Sequence, residues 1–262
     1  THSHASTHFM FSNNIQLSQF KKLILVDDEI TTGNSLLHLI GSMVQIADIE
    51  DVTVLTILDW RDKEHQQNFQ AFASAHGIAL SVHSLVSGNI VADDNTIYQN
   101  TAIGTAEVCH TALKVCSFPK IMITMPDGEQ HAYLTDSGRF GIRYRQMQEI
   151  EDRALTTATA IAESLGKVKH LMVLGHGENM YIPSRVAANL SKMGYDVMFK
   201  TTSRTPIFCD GTLFKDCLAF YEKGAKYHFY NIQEAESYDK VIMLCEDEFP
   251  YKLCNNMLTF KL

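Results

Sequence analysis

Leu23-Ile24-Leu25-Val26-Asp27-Asp28-Glu29-Ile30-Thr31-Thr32-Gly33-Asn34-Ser35 is the stretch on which the fold turns. Four consecutive apolar residues predict a buried strand and set Asp27 and Asp28 at its carboxyl end, where open α/β sheets gather their ligands. Thr31 to Ser35 are small or hydroxylic and lead into Leu36, Leu39, Ile40 and Met43, whose spacing makes one face of a helix. A turn of that composition aims N–H groups and hydroxyls at one phosphate, and the helix dipole adds to the attraction. Two carboxylates just ahead of it accept hydrogen bonds from sugar hydroxyls, or hold Mg²⁺ through them. Acid pair and phosphate cup together suit a ribose 5-phosphate.

Outward from that stretch, β and α patterns alternate. Val52 to Leu58 reads as a second strand, Phe69, Phe72 and Ala73 as a helix ending at Gly77, and Ile78 to Val86 as a third strand. Such alternation predicts a mainly parallel sheet. Pattern weakens from Val91 to Pro126, so the chain divides into a first part over 1–100, a linker region over 101–125 and a second α/β domain over 126–262. The second domain opens with an amphipathic helix on Ile150, Ala154, Leu155, Ala158, Ile161, Ala162 and Leu165, closed by Gly166. A strand from His170 to Leu174, a turn at Gly175-His176-Gly177-Glu178, and a helix from Pro183 to Gly194 follow. Strands are then expected at Val197 to Lys200, Tyr227 to Asn231 and Val241 to Cys245.

Composition limits the partners. The 262 residues carry 22 Lys and Arg against 30 Asp and Glu, a formal charge of −8 that argues against duplex nucleic acid, whose binding rests on neutralising phosphates. No apolar run approaches the about 20 residues that span a bilayer. The six cysteines form no Cys-x-x-Cys pair and read as thiols of a reducing compartment, so a cytoplasmic protein is expected. Small molecules are the expected partners, no membrane is implied, and whether the chain forms a homo-oligomer is open. The first residue, Thr1, is read as a cut edge.

The stretch 23–35 resembles the phosphoribosyl-pyrophosphate (PRPP) signature of the type I phosphoribosyltransferases: a hydrophobic strand, two acids, then Thr-Thr-Gly-x-Ser/Thr. By that resemblance the first part is a parallel-sheet, Rossmann-like phosphoribosyltransferase fold. Asp27 and Asp28 would be the catalytic acids and bind the ribose hydroxyls of PRPP, while Thr31, Thr32, Gly33, Asn34 and Ser35 would cradle its 5-phosphate. Mg²⁺ would arrive with PRPP. Leu25 to Glu29 also resembles the acidic cluster of a response-regulator receiver domain. That domain needs a phosphoacceptor Asp some 40 residues on, and Gln66 to Phe72 supplies none; Asp59 comes one strand too early.

A second resemblance covers most of the chain. Phosphoribosyltransferases of bacterial tellurium-resistance and stress gene clusters carry a His-Ser-His-Ala segment before the PRPP strand and a C-terminal domain called TRSP. Thr1-His2-Ser3-His4-Ala5, Ser137-Gly138-Arg139-Phe140-Gly141, Gly175-His176-Gly177-Glu178 and Ser203-Arg204-Thr205-Pro206 are similar to that group's motifs, the last with Ser and Thr exchanged. Gly175, Gly177, Glu178, Ser203, Arg204 and Thr205 are therefore candidates for a second anion site, with Asn179 as a further donor. Arg139, Arg143 and Arg145 beside Asp136 and Tyr144 read as a solvated loop or an anion clamp. His2, His4 and His8 lack the partners a zinc site requires. Trp60 is expected to pack.

The resemblance implies a PRPP-dependent phosphoribosyltransferase that releases pyrophosphate on joining the ribose 5-phosphate to a base-like acceptor. Only 22 residues precede Leu23, so the first part is expected to hold the C-terminal portion of a catalytic domain. Two other readings stay open: a PRPP- or nucleotide-sensing module without chemistry, and a hydrolase of nucleotide N-glycosidic bonds.

Overall fold

Two compact units, 1–97 and 98–262, divide the chain in the computed structural model. It describes residues 16–89, 103–109, 114–116, 118–124, 128–138, 141–204, 207–209, 211–222 and 224–262. The first unit alternates β1 (Lys22–Ile30), α1 (Asn34–Ile46), β2 (Asp51–Asp59), α2 (Lys63–His76) and β3 (Ala79–Ser87). The strands lie in the order β1-β2-β3 and pair in parallel. Leu36 and Ile40 of α1 and Phe69 of α2 pack on Val52 and Val54 of β2, so both helices cover one face. Asp62 caps α2 by accepting from the His65 N–H, and Gly77, at φ 65°, ends it in the left-handed conformation that glycine adopts without strain.

Two expectations about β1 need correction. The strand does not stop at Val26 but runs through the acids, because pairing with β2 continues through Glu29 opposite Leu58 and Ile30 opposite Asp59. An acidic run is a poor strand former on its own, and here the ladder overrides that preference. Nor is β1 buried on both sides. Leu23 and Leu25 face the helices, whereas Ile24 and Val26 are 68% and 78% exposed. Ile57 of β2 and Leu85 of β3 are exposed as well. An unbroken apolar run is the pattern of a strand between two layers, and the described residues of the first unit supply one.

The second unit begins with short strands: β4 (Ile103–Thr105), β5 (Glu107–Val108), β6 (Lys114–Val115), and the hairpin β7 (Lys120–Thr124) with β8 (Gln130–Leu134). Then come α3 (Tyr144–Leu165), β9 (His170–Gly175), α4 (Tyr181–Lys192), β10 (Asp196–Thr201), β11 (Cys217–Glu222) and β12 (Ala225–Tyr230). The chain finishes with α5 (Ile232–Glu236), β13 (Lys240–Cys245), β14 (Tyr251–Lys252) and β15 (Met257–Lys261). Five of these strands form a parallel sheet in the order β10-β9-β13-β15-β6.

Both faces of this sheet are covered. Leu171 and Val173 of β9 and Ile242 and Leu244 of β13 meet α3 and α4 through Ala158, Ile161, Val186 and Leu190. The alternate residues Met172, Leu174, Val241 and Met243 meet Phe220 of β11, Tyr227 and Phe229 of β12, and Ala235 of α5. Residues 101–125 are not a bare connector. Strand β4 pairs with β11, β5 with β14, and β6 forms the edge of the central sheet beside β15. Their two- and three-residue lengths explain why no periodic pattern announces them.

Burial on α3 gives a direct check. Ile161 is fully buried and Leu155, on the same helix, is 46% exposed. Ile161→Ala is expected to cost about 3 kcal/mol, and Leu155→Ala less than about 1 kcal/mol. Denaturant titration of both variants measures the difference; equal costs would contradict the assigned face.

Candidate functional site

The turn that joins β1 to α1 is set by one glycine. Gly33 caps α1 with φ 76°, a conformation that costs other residues about 1–2 kcal/mol, and a Cβ there would stand 2.4 Å from Cε2 of Phe69. The helix starts at Asn34, so Asn34 and Ser35 occupy its first turn and lie exposed. Thr31 and Thr32 are half-buried beside them, and the Asn34 N–H donates to Thr32 Oγ1 at 3.4 Å. Asp27 and Asp28 lie exposed within the last residues of β1. Desolvation holds the Asp27 carboxyl above its ordinary range, and the Asp28 and Glu29 charges push the same way. The seven residues Asp27, Asp28, Thr31, Thr32, Gly33, Asn34 and Ser35 thus fall along one strand end, turn and helix start.

A residue that sequence reasoning passed over supports this turn. Arg61, just after β2, donates from Nε and Nη2 to the two carboxylate oxygens of Asp59 at 2.9 and 2.8 Å. Both side chains are nearly buried, at 7% and 10% exposure. The guanidinium lies 4.3 Å from the centre of the Phe69 ring, the ring against which Gly33 rests. Its hydrogen bonds hold the Asp59 carboxyl below its ordinary range. The signal available in the sequence was Asp-Trp-Arg at a parallel strand's carboxyl end. Trp60 is half-buried and approaches Gly88.

In the second unit the carboxyl ends of β9 and β10 bring two quoted motifs together. The Thr202 N–H donates to the Gly175 carbonyl at 3.1 Å, and the Gly177 N–H donates to Thr202 Oγ1 at 3.3 Å. Arg204 donates from Nε and Nη2 to the Tyr227 hydroxyl at 3.0 and 2.8 Å, and that hydroxyl also lies beside Gly177. Gly175 admits no side chain, since a Cβ would stand 2.9 Å from the Asn179 carbonyl oxygen. Ser203 exchanges backbone hydrogen bonds with His228, and Glu178 is exposed. Thr205 and Pro206 lie outside the described residues.

His176 is the group that the motif comparison left without a role. Its Nδ1 lies 2.8 Å from Thr202 Oγ1, and its Nε2 pairs with Glu222 Oε2. Rings of Tyr227, Phe249 and Phe220 surround it at 4.7, 5.0 and 5.9 Å. Asn179, bridged to His176 across the turn, is 1% exposed, and neither of its amide atoms has a hydrogen-bond partner among the described residues. Glu222 escaped notice because β11 did. Two apolar runs separated by two residues that end in Gly224 are the hairpin signal that identifies it.

Other candidates separate. Arg143 and Arg145 are exposed at the start of α3, and Asp136 pairs instead with Arg153 of that helix. Arg139, His2, His4 and His8 lie outside the described residues. Among the described residues no three His, Cys, Asp or Glu side chains gather as a metal site, and no helix is long and apolar enough to cross a membrane.

Two substitutions test the support beneath the turn. Gly33→Ala combines a disfavoured φ with overlap on Phe69 and is expected to cost about 2 kcal/mol or more. Arg61→Met leaves the Asp59 carboxylate buried without its partner, at a cost of about 3 kcal/mol at neutral pH. Because the Asp59 pKa is depressed in the fold, the pair's contribution is present above the ordinary Asp value, about 3.9, and fades as pH falls through the depressed one. Thermal melts at pH 7 and pH 3 should therefore show a smaller difference between Arg61→Met and the parent at the lower pH.

Two family models match the chain. Residues 1–89 match a family model described as phosphoribosyl transferase, and residues 136–259 match the TRSP domain that lies C-terminal to it. No curated protein and no solved structure matches the chain. In sequence order and in both of its parts, the chain has the architecture of a phosphoribosyl transferase domain followed by a TRSP domain.

Proposed function

We propose that the first unit binds PRPP and that the chain serves transfer of its phosphoribosyl group to a nitrogen of a base-like acceptor. The observation that carries this reading is the turn from Asp27 to Ser35, where Gly33 at φ 76° starts a helix directly after an acid pair on a parallel strand. The exposed first turn of α1 offers N–H groups and the Ser35 hydroxyl to a 5-phosphate, helped by the positive end of the helix dipole. Asp27 and Asp28 accept hydrogen bonds from the ribose hydroxyls. In the reaction the bond from C1 of the ribose to pyrophosphate breaks as a bond to the acceptor nitrogen forms. Positive charge develops on the sugar between these events, and two carboxylates beside the ribose stabilise it.

Mg²⁺ characteristically keeps several waters and takes one or two carboxylates together with substrate phosphates. Exposed Asp27 and Asp28 suit that mode, and they would hold it beside the ribose, where it supplies charge neutralisation to the departing pyrophosphate. No disulfide joins the six cysteines, which is consistent with a reducing, cytoplasmic setting.

Isothermal calorimetry with PRPP and Mg²⁺ tests the site. The parent chain should bind, and Asp27→Asn/Asp28→Asn should bind at least about tenfold more weakly, the loss of two charge-assisted hydrogen-bonding groups. Equal binding by both would remove the assignment. Release of pyrophosphate with a panel of bases then separates transfer from sensing, and free ribose 5-phosphate would indicate hydrolysis.

The raised Asp27 pKa adds a second expectation. A carboxyl whose pKa is raised in the fold penalises stability progressively as pH rises past the ordinary Asp value. Asp27→Asn should therefore melt higher than the parent at pH 7, by less than about 1 kcal/mol because the group is exposed to solvent screening, while binding PRPP less well. A lower melting temperature would contradict the assigned environment of Asp27.

A further inference from the structure

Three features of the second unit converge at one place. The central sheet reverses its strand order between β9 and β13, since β10 lies on one side of β9 and β13 and β15 on the other. At such a switch point the loops beyond the strand ends part and form a crevice. His176 stands there, just past the end of β9, with Thr202 on one ring nitrogen and Glu222 on the other. Beside it, Asn179 keeps a fully buried amide without a partner among the described residues, a condition that costs free energy unless a ligand or water completes it.

Hydrogen-bond polarity orders the network. In the neutral imidazole with its proton on Nε2, facing the Glu222 carboxylate, Nδ1 carries the lone pair. In that tautomer Thr202 donates its hydroxyl proton to Nδ1, while its oxygen accepts from the Gly177 N–H. A hydroxyl that donates to an imidazole, whose far side is held by a carboxylate, is the arrangement of an activated nucleophile. Three buried thiols of this unit offer no rival. Burial pushes Cys217 up to about 11, and Cys245 and Cys254 up to about 12, far from the thiolate range.

We propose that the second unit holds a hydrolytic centre of its own that acts on a carboxylic ester, with Thr202 as nucleophile, His176 as its base and Glu222 as the residue that orients the base. Charge selects the substrate class. Glu178 follows β9, Glu222 ends β11, and Glu246, Asp247 and Glu248 follow β13. Arg204 is directed at the Tyr227 hydroxyl, and Glu222 is held against His176, so an uncharged carbonyl suits this place better than the second anion expected from Gly175, Gly177, Glu178, Ser203, Arg204 and Thr205. A neutral carbonyl carries no such penalty.

The step balances within the site. Thr202 Oγ1 bonds to the carbonyl carbon as its proton passes to His176 Nδ1, and the Asn179 amide N–H group donates to the oxyanion that forms. The carbon–oxygen bond to the leaving alcohol breaks, and the alcohol takes the proton from Nδ1. Water then attacks the acyl-threonine, again giving its proton to Nδ1. That proton returns to Thr202 as the carboxylic acid leaves. Thr202 is 3% exposed, so substrate entry requires the turn over it, which carries Gly177 at φ 59°, to shift. The proposal does not depend on the PRPP reading, and its test uses no PRPP.

p-Nitrophenyl acetate serves as the probe on the full chain. Expected are a burst of p-nitrophenolate and an acetyl group that peptide mapping places on Thr202. Thr202→Val should lose both and Thr202→Ser should keep both. His176→Gln should slow acylation about 10²-fold or more. Glu222→Gln should lower kcat with little change in KM, a split that loss of a purely structural contact does not produce. Absence of a burst in the parent, an acetyl group mapped to another residue, or equal rates in parent and Thr202→Val would each overturn the proposal. Mapping on the parent decides the matter even where a variant folds poorly.

Discussion

A parallel sheet has to hide its faces, and how each unit meets that demand decides where its chemistry sits. In the second unit α3 and α4 lie on one face of β9 and β13 and the β11–β12 hairpin lies on the other, so every side chain from Leu171 to Leu174 is buried. With both faces closed, only the strand ends remain open to polar groups. His176, Thr202 and Glu222 collect beyond those ends from three separate elements, largely shielded from solvent. In the first unit the described helices cover one face, and the β1–α1 turn lies at the carboxyl end of β1.

Local pattern made much of this legible. The parallel order of β1, β2 and β3 follows from the alternation of strand and helix, and α3 shows its buried stripe at Ile150, Ala154, Ala158, Ile161 and Leu165. The candidate ribosyl site was legible for another reason: its residues are contiguous, so one turn carries the whole pattern. What sequence could not show were pairings between distant short segments. Strand β6 has two residues and, among the described residues, takes its place in the sheet from β15, 146 positions later. The ends of β1 misled for a related reason, because the ladder to β2 recruits Asp27 to Glu29, which have little intrinsic strand preference.

The same contrast separates the two sites. Arg61 supports the Gly33 turn through a ring on a different helix, and Glu222 reaches His176 from 46 positions away. Neither relation has a local signature. Each becomes visible when burial is considered together with charge: Arg61 and Asp59 are ionised groups kept from water, and Asn179 is an amide kept from partners among the described residues. Such groups incur a desolvation cost, and the fold retains them where the geometry around them returns it.

Phe69 has a further consequence for motion. Its ring is in contact with the backbone of Gly33 and with the guanidinium of Arg61, and the residue is 4% exposed. A ring so confined cannot rotate about its axis until the packing around it dilates. Rotation of that one ring is therefore tied to breathing of the β1–α1 turn, and the exchange rate between its two edges becomes a clock for how often the turn loosens.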